Sequence, residues 1–161
     1  MTKSYTRKQM GDACEMLIAA ELTLAGIPAI KAPDNWPHYD VIAQPPDRDE
    51  PWRASVKSRT FKKGPAFVSY SEEDRFDWLP VVILPNGVER SRRVYLIPRK
   101  IADLNARKNS MNARNANERY WRIDEICEAF GQFENNYSLD PGFEVSPIWR
   151  AALERRRRRR R

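Results

Sequence analysis

Histidine is almost missing from this 161-residue chain, cysteine is scarce, and no apolar run is long. Each shortage excludes something. His38 is the only histidine, which rules out phosphodiester chemistries built on several of them. Cys14 and Cys127 stand far apart and in no Cys-x-x-Cys pair, so neither a disulfide framework nor a zinc ribbon is indicated. The apolar runs reach only about five residues, as at 16–20, far short of a membrane span. The first residues hold no apolar stretch of the signal-peptide kind, so a cytoplasmic protein without membrane partners is expected.

A charge imbalance is also missing from the body of the chain. The formal net charge is +7, but residues 155–161 are all arginine. Without them, 22 basic residues face 22 acidic ones. The basic character therefore belongs to a tail that follows Leu153-Glu154, a junction like that of a purification tag, and the tail stands outside fold reasoning. Within the neutral body the charges are segregated. Residues 52–63 carry Arg53, Lys57, Arg59, Lys62 and Lys63 and no acid, while residues 123–149 carry six acids and no Lys or Arg. This asymmetry suggests one face that meets an anion.

What is present is enough for one domain with a real core. Helical spacing of Met10, Ala13, Cys14, Leu17, Ile18 and Leu24 predicts a helix over 5–25, stopped at Gly26. Strands are expected at 27–31, 40–44 and 52–60, with a brief extended piece at 67–70. Ser71 is a candidate N-cap for a short helix. Residues 81–84, Val-Val-Ile-Leu, read as a strand buried on both faces, followed by a strand at 94–97 and a helix within 98–107. Residues 105–119, with five asparagines, read as a mobile basic loop; 123–130 as an amphipathic helix; and 148–153 as a last ordered segment. The fold class is α/β, a mixed central sheet flanked by helices. It divides into a core at 1–104, the loop at 105–119, an extension at 120–154 packing on the core, and the tail at 155–161.

On a strand, residues two apart share a face. Arg53, Ser55, Lys57 and Arg59 then form one row, which cannot be buried without partners. Asp40 at the start of a neighbouring strand and Glu15 on the first helix are the available acids; a helical projection puts Glu15 at the edge of the apolar stripe, able to reach over the sheet edge. Two carboxylates and a lysine so placed suit metal-assisted phosphodiester cleavage. The acids hold a hydrated Mg²⁺, and the lysine orients water and offsets developing charge. Arg59, Lys62 and Lys63 are candidate phosphate contacts. Glu21 lies within the apolar stripe and either meets a buried cation or belongs to the site.

At Gly11-x-x-x-Glu15, Gly26, Tyr39-Asp40-Val41-Ile42-Ala43 and Val56-Lys57-Ser58-Arg59 the chain resembles the PD-(D/E)XK nuclease superfamily, in particular its Holliday-junction-resolvase-like and small bacterial members. The resemblance covers roughly residues 6–98. It implies a restriction-endonuclease-like αβββαβ core, Mg²⁺ (or Mn²⁺) held by Asp40 and Glu15, Lys57 beside the water, DNA as partner, and a homodimer. The departure is Ser55, where the pattern has Glu, Asp or Gln. Three outcomes are open: a metal site with fewer protein ligands, a replacement acid such as Glu21 or one within 47–50, or a scaffold that binds nucleic acid without cleaving it. Pro33-Asp34 matches the pattern only literally, because Asn35-Trp36-Pro37 cannot supply the following strand.

Overall fold

A computed structural model describes residues 5–60, 66–85 and 91–139. Lys62, Lys63, the expected segment at 148–153 and the arginine tail lie outside these residues. The described elements are α1 (Arg7–Leu24), β1 (Ala29–Lys31), β2 (Val41–Ala43), β3 (Trp52–Ala54), β4 (Lys57–Thr60), β5 (Phe67–Ser71), β6 (Trp78–Leu84), β7 (Arg93–Pro98), α2 (Arg99–Asn105), β8 (Arg107–Lys108), β9 (Glu118–Arg122) and α3 (Ile123–Phe130), with a 3₁₀ turn at Gly131–Phe133. The fold is α/β with a mixed sheet flanked by helices. No described helix is long and apolar enough to cross a membrane.

Helix α1 starts where its sequence says it should. Thr6 accepts from the Gln9 N–H (3.2 Å), and the Gln9 side chain accepts from the Thr6 N–H (2.9 Å), a reciprocal capping box. It ends at Gly26, whose φ of 93° is a left-handed conformation that glycine adopts without penalty. Cys14, Ile18, Ala19 and Leu22 are buried against the sheet. Ala13 and Leu24, expected in the same stripe, face outward instead, because the buried arc is centred on Ile18 and Leu22.

The main sheet is antiparallel from β1 through β2 to β3, then parallel from β3 and β4 to β6, with β7 antiparallel on β6. The strand expected over 52–60 is interrupted at Ser55 and Val56. Both pieces keep one register on β6, Ala54 opposite Trp78 and Lys57 opposite Val81, which places Val56 opposite Pro80. Proline has no N–H for the ladder, so the ladder lapses there while the chain runs on. The Ser55 N–H still donates to Trp78 O (3.0 Å), which directs the next N–H, that of Val56, to the opposite edge.

Two cores lie on the two faces of this sheet. One packs α1 on Val41, Ala43, Ala54, Val56, Val82 and Leu96. The other joins Val81, Ile83, Tyr95 and Ile97 to α2, α3 and a second sheet, β5-β9-β8. That second sheet was not foreseen in the asparagine-rich stretch, where polar composition hides β8 and the approach to β9. Trp121 of β9 stacks on Tyr70 at 5.7 Å between centroids, meets Phe130 edge-on at 5.3 Å, and donates to Asn105 Oδ1 (3.1 Å). Trp121→Phe is therefore expected to cost about 1–3 kcal/mol in urea unfolding, because it leaves a buried Asn105 oxygen unpaired.

The helix expected after Ser71 does not form. The Asp74 N–H donates to Ser71 O (3.1 Å) and the Glu73 N–H to Ser71 Oγ (3.2 Å), closing a turn. Phe76, buried beneath the Arg99 guanidinium at 4.3 Å, then fixes the chain before a second helical turn can begin.

Candidate active site

Asp40 stands immediately before β2, at the point where that strand stops accompanying its neighbour. Its backbone N–H donates to Ala54 O (2.9 Å), and its Oδ2 accepts the Val56 N–H (2.7 Å). The carboxylate thus continues the ladder for one residue beyond the end of β2, supporting the outward-turned N–H that the Pro80 interruption leaves. This pins the acid beside Ser55, Val56 and Lys57.

The sheet register decides which side chains share that place. Val41 and Ala54 are opposite one another and both lie in the core beneath α1. Ser58 also faces α1, where it is hydrogen-bonded to Cys14. Asp40, Ser55 and Lys57 alternate with these residues and so occupy the other face, Lys57 alongside Val81 of the second core. Glu15 comes from α1, on the opposite side, and its Oε2 meets Lys31 at the end of β1. Burial pushes its carboxyl up from the ordinary range; Lys31 opposes that rise, and the nearby negative charge of Asp40 adds to it. The Glu15 and Asp40 carboxylates are therefore electrostatic neighbours. Among the described residues, Lys57 has no ion-pair partner, and Asp40 Oδ1 and Glu15 Oε1 accept no hydrogen bond.

Lys31 is the residue that sequence reasoning missed. It ends β1 opposite Val41, which brings it next to Asp40. Its Nζ lies 3.2 Å from Glu15 Oε2, 2.8 Å from Asp34 Oδ1 and 3.8 Å from Asp12 Oδ1. Asp34 and Glu15 raise its pKa, and Asp34 is lowered in return by Lys31 and Lys8. Only the packing of β1 on α1 and its pairing with β2 reveal this, because the sequence separates Lys31 from Glu15 by a helix end and a turn. Asp34, the acid of the literal Pro-Asp match, serves here as a tether for Lys31 rather than as a member of the carboxylate pair.

Glu21 does not join the site. It lies six residues past Glu15, about 9 Å along the helix, and its charge acts on Tyr137. Among the described residues, no group of three or more His, Cys, Asp or Glu side chains gathers to hold a metal. Ser55 itself is buried. The donor set is two carboxylates with one oxygen each uncommitted, which fits an ion such as Mg²⁺ that takes one or two protein carboxylates and keeps most of its waters. Lys31 and Lys57 flank the two acids, and Lys31 is shared with Asp34 and Asp12.

Arg59 lies on β4 two residues beyond Lys57 and on the same face. It donates from Nε to Phe67 O (2.7 Å) and from Nη1 to Ser58 O (2.7 Å). Burial lowers its pKa, and the charge of Arg7 adds to that effect.

Among the solved structures that align with this chain are two nucleases. A Holliday junction resolvase from Archaeoglobus fulgidus is 12% identical, with 73% of this chain and 91% of that one covered, at a TM-score of 0.44. A bacterial homing endonuclease is 18% identical, with 60% of this chain and 72% of that one covered, at a TM-score of 0.40. No protein-family model matches the sequence, and no curated protein does. At these TM-scores neither likeness bears on the roles of individual residues, which rest on the geometry above.

Proposed function

We propose that this protein is a metal-dependent, endonuclease-like hydrolase of DNA phosphodiester bonds. What supports the reading is that Asp40, held by the Val56 N–H beside the start of β4, shares a sheet face with Lys57, and that its negative charge acts on the Glu15 carboxyl. Asp40 and Glu15 would hold Mg²⁺ (or Mn²⁺), which when bound polarises a phosphate and lowers the pKa of a coordinated water. Lys57, unpaired among the described residues, holds a water or phosphate oxygen in line and offsets the charge that develops on it. Asp40 keeps its orientation through the Val56 N–H, so the acid is positioned by backbone rather than by a mobile partner. The reading places the protein in the cytoplasm. It also includes a homodimer, since two strands need two sites and the outward face of α1 presents Met16 and Leu24, 56% and 84% exposed, to a second copy.

The test is cleavage of duplex, branched and single-stranded DNA in Mg²⁺ or Mn²⁺, by the full chain and by one lacking residues 155–161. Lys57→Ala is expected to lower the rate by about 10²-fold. If no DNA of any of these forms is cut under either metal, the reading fails.

A second reading is favoured by Ser55 and by the balanced charge around Glu15: a degenerate nuclease scaffold that binds nucleic acid without cleaving it. Its mark would be DNA retention that is sensitive to salt, indifferent to metal and unchanged in Asp40→Ala.

A further inference from the structure

Arg59 is a half-buried guanidinium with no carboxylate partner among the described residues. Its two bonds go to backbone carbonyls, which orient it without neutralising it. The segment from residue 52 to residue 71 also contains no Asp or Glu. Withdrawing a cation from water is costly unless an anion meets it, so this position favours an anionic partner. The surroundings increase the cost. Lys57 lies on the same face of the same strand, about 7 Å away, and Arg7 is near enough that its charge acts on Arg59.

Arg7 is misplaced by the ordinary rule for helices. The first turn of α1 contains no acid, and Arg7 and Lys8 occupy the end where the helix dipole is already positive. Lys8 is compensated by Asp12 and Asp34, whereas Arg7 has no ion-pair partner among the described residues. Lys57, Arg59 and Arg7, from β4 and the start of α1, are thus three cations without a carboxylate partner among the described residues, and the charges of Arg7 and Arg59 act on one another.

We infer that Arg59 and Arg7 form a clamp for a second phosphate, neighbouring the one that Lys57 and the carboxylates address. The inference rests on the nuclease reading and names its substrate class: a polynucleotide strand running along β4 toward the N-terminus of α1, rather than a mononucleotide or an isolated diester. The carbonyl bonds fix the plane of the Arg59 guanidinium, leaving Nη2 for a phosphate oxygen. A bland alternative is that Arg59 merely covers the outer edge of β4, which extends past the end of β2 and exposes Ser58 O.

The salt dependence of DNA binding separates the two. Binding of a short duplex oligonucleotide would be measured in EDTA, without turnover, across a range of NaCl concentrations. Arg59→Gln and Arg7→Gln are each expected to weaken binding at least tenfold at low salt and to reduce the slope of log K against log salt by about one. Arg122→Gln, whose charge is already paired with Asp124, serves as control and should leave the slope unchanged. A wild-type slope in both Arg59→Gln and Arg7→Gln overturns the clamp. Arg7 is exposed, so its variant keeps the test decisive if Arg59→Gln fails to fold. Wild-type protein that cuts DNA while both slopes stay unchanged sinks the clamp alone; wild-type protein that neither binds nor cuts DNA sinks the nuclease reading with it.

Discussion

Asp40→Asn is expected to lower DNA cleavage by about 10³-fold while leaving the fold nearly as stable as before. Asp40→Ala is expected to lose both. The separation follows from the two tasks of one carboxylate. Oδ2 accepts the N–H of Val56, a buried residue whose donor has no strand beside it because β2 has ended. An asparagine can present its carbonyl oxygen to that N–H, so the ladder stays satisfied. Alanine leaves a buried donor unpaired, at a cost of about 1–3 kcal/mol, or roughly 2–12 °C in Tm for a chain of this size. The other oxygen is the one free to ligate. An amide is a far weaker ligand for a hard divalent ion, and losing several kcal/mol of charge stabilisation in the transition state corresponds to the stated factor. The measurements are single-turnover cleavage and thermal unfolding on both variants. Should Asp40→Asn cut DNA at the wild-type rate, Asp40 is a structural cap and nothing more.

The same residue marks the limit of what the sequence could disclose. The helix at α1, the strand after Asp40 and the run of Val81 to Leu84 were legible because each carries its own periodicity or cap. The alternation from Ser55 to Arg59 placed Lys57 correctly opposite the helix-facing Ser58. What could not be read was anything set by pairing between distant segments. Lys31 sits beside Glu15 only because β1 packs back against α1, and near Asp40 only through the β1–β2 register. The break at Val56 depends on Pro80, which stands opposite it across a parallel pair. Strand β9 looked like the end of a loop because its partner, β5, is some fifty residues earlier. In each case the local signal was weak or misleading, and a tertiary contact overrode it.

Restoring negative charge to the donor set should raise its metal affinity sharply. Two acids, Glu15 and Asp40, stand among two lysines, and Lys31 holds Glu15 Oε2 and sets its positive charge against an ion approaching the free Oε1. Lys31→Met removes that competitor and one positive charge. Ser55→Glu adds a carboxylate on the face shared by Asp40 and Lys57. A divalent ion feels each unit change in proportion to its own double charge, so each substitution is expected to raise Mn²⁺ or Mg²⁺ affinity about tenfold, and the pair about 10²-fold, by calorimetric titration. Asp34→Asn should act in the opposite direction. It removes the closest of the acids that draw Lys31 away from Glu15, tightening the Lys31–Glu15 link and weakening metal binding. The opposed signs matter more than the sizes, because a general loss of packing would lower affinity in all three. If neither Lys31→Met nor Ser55→Glu binds metal more tightly, the carboxylates do not converge on a common ion. The face that carries Lys57 and Arg59 would then serve for gripping a nucleic-acid backbone rather than cutting it.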